Sequence, residues 1–124
     1  MKKFSKYHIF KNGKEKSLIR SARILQALSN PGIIDFVHYI IGEEDEIFLV
    51  YEACKKGSLE EVKSQLYKAK DMVLIKEIMH QLCQALKYLK SVAVAHRDIK
   101  PSNLTFNSDG FLKVVDFDEA VCFK

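Results

Sequence analysis

His96-Arg97-Asp98-Ile99-Lys100-Pro101-Ser102-Asn103 is the most informative stretch of this 124-residue chain. Thirteen positions after Asn103 comes Asp116-Phe117, at the end of the apolar run Phe111 to Val115. An Asp, a Lys two later, an Asn five later and a strand-borne Asp-Phe downstream rarely coincide by chance. Singly, each is ordinary in an exposed loop or at a strand end. Their joint spacing reverses that plain reading.

Outward from this stretch, the pattern alternates between sheet and helix signals. Leu18, Ala22, Leu25 and Leu28 fall on one face of a helix over Ser17 to Leu28, which Asn30-Pro31-Gly32 stops. Ile33 to Ile41 and Ile47 to Glu52 read as strands of a hairpin around the acidic turn 42–46. Ser58 with Glu61 forms a capping box that opens a short helix. Ile75, Ile78, Leu82, Leu86 and Leu89 give a long amphipathic helix from Asp71 to Leu89, whose apolar stripe calls for a covering partner. Val92 to Ala95 and Leu104 to Asn107 read as short strands flanking the opening motif, and Asn107-Ser108-Asp109-Gly110 turns the chain into strand Phe111 to Val115.

The first motif matches the protein-kinase catalytic loop H-R-D-x-x-x-x-N, and Asp116-Phe117 matches the start of the D-F-G segment. The chain resembles a eukaryotic-type serine/threonine protein kinase domain, truncated at both ends. The resemblance implies an α+β fold, a partial kinase domain with a remnant N-lobe sheet and its helix αC (residues 1–52), a hinge (53–57) and the start of the C-lobe through the D-F-G-like segment (58–124). It implies ATP and Mg2+ as cofactors and a protein substrate with a Ser or Thr acceptor.

Phosphoryl transfer asks a protein mainly to align two oxygens and neutralise charge, so a few fixed polar groups suffice. By the resemblance, Asp98 orients or accepts the proton of the substrate hydroxyl and Lys100 touches the transferred phosphate. Lys100 followed by Pro101-Ser102 is similar to the serine/threonine branch rather than the tyrosine branch. Asn103 and Asp116 bind magnesium through oxygen. Glu52 and Cys54 present hinge backbone to adenine, Tyr51 is the gatekeeper or a routine buried strand residue, and Thr105 stands where the family usually places an apolar residue beneath the base. His96 and Phe117 pack inside a column whose upper half is Leu25 and Phe36.

Several positions depart from the family pattern. No G-x-G-x-x-G occurs in the chain. Lys2 and Ser21, nineteen positions apart, hold the places of the ATP-anchoring strand lysine and of the helix glutamate that pairs with it. Lys2 is as readily a surface lysine within its basic cluster, and Lys3 competes for the role. Ser21 cannot make the ion pair. Asp118 replaces the Gly of D-F-G, losing glycine's conformational freedom, with its side chain expected in solvent. The alternative function is a pseudokinase acting as a binding or regulatory module.

Composition sets outer bounds. The net charge of +4 comes with lysines crowded before position 17, but without interleaved aromatics, so nucleic-acid binding is not expected. No run approaches the roughly 20 apolar residues of a membrane helix, and no apolar signal segment opens the chain. An intracellular, cytoplasmic protein with no membrane partner is expected. Cys54, Cys83 and Cys122 are too few and too dispersed for a disulfide framework or a zinc site.

Overall fold

The computed structural model describes the backbone of residues 2–5, 15–41 and 46–123, and the side chains of 17–40 and 47–123. Strands β1 (Lys2–Ser5), β2 (Phe36–Ile41) and β3 (Glu46–Tyr51) form an antiparallel sheet in the order β1-β3-β2. Helix α1 (Glu15–Ala27) lies between β1 and β2 in sequence. Helices α2 (Leu59–Ala69) and α3 (Met72–Ser91) follow the sheet, and two small antiparallel ladders complete the fold. One pairs β4 (Val94–Ala95) with β7 (Val121–Cys122); the other pairs β5 (Leu104–Phe106) with β6 (Leu112–Val114). This is the α+β, partial kinase-like arrangement expected. Residues 42–45 of the acidic turn lie outside the described residues, and Glu46 already belongs to β3.

Helix α1 buries Leu18, Ser21, Ile24 and Leu25, and its chain then turns at Asn30, whose Oδ1 accepts the Gly32 N–H at 2.9 Å. Gly32 passes so close to α3 that an added Cβ would stand 2.9 Å from that of Ala85. The close approach brings the next residues against β6. Gly32 O accepts the Val114 N–H at 2.8 Å, and the Ile34 N–H donates to Val114 O at 3.0 Å. The strand read from Ile33 therefore starts only at Phe36, because Ile33 is spent on this parallel bridge.

Ser58 caps α2 with the reciprocal Glu61 bond, as the capping box predicts. Asp71 caps α3 by accepting the Leu74 N–H at 2.9 Å. The stripe that α3 buries is Ile78, Leu82, Ala85 and Leu89; Leu86, expected on it, is exposed. The four buried residues pack in one core with Leu104, Leu112, Val114 and Phe117, while Met72, Val73, Leu74 and Met79 of the same helix stay exposed. The helix ends at Val92 and a left-handed Ala93 (φ 55°), so β4 begins at Val94 rather than Val92. Strand β7 carried no sequence signal of its own.

Candidate active site

The opening motif is a loop held from both ends by one residue, Val115. His96, buried at the end of β4, contacts Val115 O through Nε2 at 2.9 Å, and the Val115 N–H donates to Asn103 O at 3.0 Å. The other ring nitrogen of His96 accepts the Asp98 N–H at 3.2 Å, which assigns the proton to Nε2. The ring stands edge-on to Phe117, with centroids 4.6 Å apart. Burial pushes the His96 pKa below its ordinary 6.5, against the opposing pull of the Val115 carbonyl and of the Asp98 and Asp116 charges. The imidazole is a neutral structural element.

Arg97 turns the chain in the left-handed region (φ 68°), and its Nε donates to Glu119 O at 2.5 Å. Asp98 follows. Its Oδ2 accepts from Lys100 Nζ at 2.7 Å and from Asn103 Nδ2 at 2.9 Å. The Lys100 hydrogen bond, more than that of Asn103, holds the Asp98 carboxyl below the usual carboxylate range, and the same contact raises Lys100. Asp98 is thus kept ionised and oriented, the state in which it can accept a hydroxyl hydrogen bond.

Pro101 opens a short 3-10 turn that ends at Asn103, whose side chain is buried. Asn103 commits its amide nitrogen to Asp98, which leaves Oδ1 as the atom that could ligate a metal. Asp116, just past β6, sits at φ 64°, a conformation that Asp tolerates better than most residues. Asn103 and Asp116 line the same cavity of about 380 Å3, with Ser102 beside them and Ile34, Tyr51, Glu52, Cys54, Thr105 and Val115 completing the wall. The volume lies in the range of small-ligand sites.

The donor set fits magnesium held jointly by protein and phosphates. Among the described residues no three His, Cys, Asp or Glu side chains cluster as a self-sufficient metal cage. Magnesium commonly takes one or two protein oxygens and completes its shell from phosphates and water.

The expected residues thus fall into two connected groups. Asp98, Lys100 and Asn103 bond to one another, while Asn103, Asp116, Glu52 and Cys54 share the cavity. Lys2 pairs through its backbone with Leu49 of β3, and its side chain lies outside the described residues. Ser21 is buried and donates to Leu18 O at 3.0 Å within its own helix. Thr105 donates its hydroxyl to Lys113 O at 3.3 Å, so the polar atom at this normally apolar place is satisfied.

Asp118 is half-buried rather than projecting into solvent, and its main-chain oxygen accepts from Ser17 Oγ at 2.8 Å. Its backbone does not adopt the left-handed conformation that would require glycine. Lys113 escaped the sequence reading altogether. It is buried and bonded to Glu52 behind the cavity wall. The chemical alternation along β6 gave no hint of it, because Leu112, Lys113 and Val114 are all buried.

The family model of the protein kinase domain matches residues 1–124. CBL-interacting serine/threonine-protein kinase 21 of Arabidopsis thaliana is 34% identical over 110 residues, covering 88% of this chain and 26% of that protein. The chain spans about a quarter of the length of this curated relative. With the catalytic-loop geometry and a match along its whole length, the chain belongs to the protein kinase domain family, on the side of the serine/threonine kinases.

Proposed function

We propose that the chain supplies the nucleotide cavity and catalytic loop of a protein serine/threonine kinase that transfers the γ-phosphoryl group of ATP to a Ser or Thr hydroxyl of a protein. The observation that carries this reading is the shared use of Asn103, which steadies the Asp98 carboxylate and lines the cavity with Asp116. Asp98 receives the acceptor hydroxyl, and Lys100 moves between Asp98 and the phosphate. Asn103 and Asp116 would hold magnesium, which supplies charge neutralisation when bound. Glu52 and Cys54 offer hinge peptide groups to the base, and Lys2 is a candidate anchor for the phosphates. In this reading residues 1–52, 53–57 and 58–124 are N-lobe, hinge and C-lobe portions.

Isothermal titration of the chain with Mg-ATP, followed by phosphorylation assays on a Ser/Thr peptide library, tests it. Binding is expected for the wild type and is expected to lose its magnesium dependence in Asp116→Ala. Absence of nucleotide binding by the wild type would remove the proposal. A second reading, a nucleotide-binding module without turnover, is favoured by Ser21, whose hydroxyl is spent inside α1 where the family has an ion-pairing glutamate. Mg-ATP binding without phosphorylation on any peptide supports that reading; turnover abolished by Asp98→Ala excludes it.

A further inference from the structure

Lys113 is the middle residue of β6, three positions before Asp116. Its side chain is 7% exposed and its ammonium is ringed by oxygen: Glu52 Oε1 at 2.6 Å, Ile33 O at 3.4 Å and Asp35 Oδ2 at 3.8 Å. An ammonium so far from water is tolerated only when paired and hydrogen-bonded, so this contact has a fixed geometry. Glu52 is fixed in turn. Its Oε1 also accepts the Asp35 N–H at 3.0 Å, and its own N–H donates to Asp35 O at 3.0 Å. On the other side, the Lys113 carbonyl accepts the Thr105 hydroxyl.

Glu52 and Thr105 line the cavity, whereas Lys113 stands behind both. Its strand runs on to Asp116, and its side chain reaches the first residue after β3. We propose that Lys113 is a positioning residue for the nucleotide: by pinning Glu52 to the strand that leads to Asp116, it sets the hinge peptide groups at the height of the metal-binding pair. This rests on the nucleotide-cavity reading above. It differs from a purely structural ion pair in one respect. A structural pair matters for folding alone, whereas a positioning pair also sets the affinity for the base.

The test compares wild type, Lys113→Met and the double variant Lys113→Met/Glu52→Met, using thermal melting and calorimetric titration with adenosine and with magnesium tripolyphosphate. Adenosine probes the hinge; tripolyphosphate probes the metal end. Lys113→Met is expected to melt earlier, because it leaves Glu52 without its cation, and to bind adenosine roughly tenfold more weakly, the order expected when recognition groups are displaced by a fraction of an ångström. The double variant removes the stranded charge and is expected to recover the melting temperature but not the adenosine affinity. Magnesium tripolyphosphate binding is expected to stay unchanged in Lys113→Met. Recovery of adenosine affinity in the double variant, or equal affinity in all three proteins, overturns the positioning role and leaves the nucleotide reading standing. Failure of the wild type to bind adenosine overturns both.

Discussion

Asn103 Nδ2 donates to two oxygens of Asp98 at once, the main-chain oxygen and Oδ2, each at 2.9 Å. A carboxylate at position 103 would turn both contacts from attraction to repulsion. Asn103→Asp is therefore expected to lower stability at neutral pH, because it places a charge at a buried position beside the Asp98 carboxylate. Paired like charges raise a carboxyl pKa, so the loss should shrink as the pH falls and one of the two acids takes up a proton. Urea denaturation of this variant at pH 7.5 and pH 5 checks it; an equal deficit at both would contradict the charge argument.

His96 gives the wild type a pH dependence of the opposite sense. Burial depresses its folded pKa below 6.5, so on acidification the unfolded chain protonates first. Its contribution to stability is complete above that ordinary value and is lost as the pH drops through the interval down to the folded pKa. The His96 Cε1 proton resonance should titrate with a midpoint below 6.5, and His96→Phe should flatten the fall in stability over that interval. A midpoint above 6.5 would refute the neutral, buried assignment.

The low pKa of Asp98 is ascribed first to Lys100. Lys100→Met should move the Asp98 carboxyl back toward its ordinary value, which a carbon-13 carboxyl titration reads directly. In a competent domain the same change should slow phosphoryl transfer roughly a hundredfold, the usual consequence of removing one aimed donor. An Asp98 midpoint that stays put would assign the shift to Asn103 instead.

Gly57 sits at φ 78° just before the Ser58 cap of α2, where an added Cβ would run into the Glu61 carboxylate. That carboxylate accepts the Ser58 N–H at 2.7 Å and is half of the cap on α2. Gly57→Ala combines a left-handed penalty with a damaged cap and is expected to cost about 2 kcal/mol. Thermal melting measures the total, and Glu61→Ala in the Gly57→Ala background should add less than it costs alone, because the two changes disrupt one contact.

Local chemistry made most of the site readable. Asp98, Lys100 and Asn103 bond within six residues of one another, so their spacing carried their geometry. The Ser58 cap and the Asn30 turn were equally local. Contacts between distant segments were readable only where the family resemblance supplied them, as for His96 on Phe117. Lys113 reads as a surface lysine until the fold brings Glu52 and Asp35 to it, and Leu86 fits the periodicity of α3 although Ala85 holds the buried position. Ser17 on Asp118 belongs to the same class, a bond that nothing in either neighbourhood announces.

The grip of His96 and Asn103 on the two sides of Val115 bears on how the site comes into being. Both bonds close short stretches of chain, and short closures cost little entropy and form quickly. The catalytic loop is thus an inexpensive knot that the chain can tie early. The bond from Lys113 to Glu52 spans half the molecule and must wait for the sheet and the helices to meet. The loop and the cavity wall are thus closed over very different lengths of chain, and the longer closure carries the larger entropic cost.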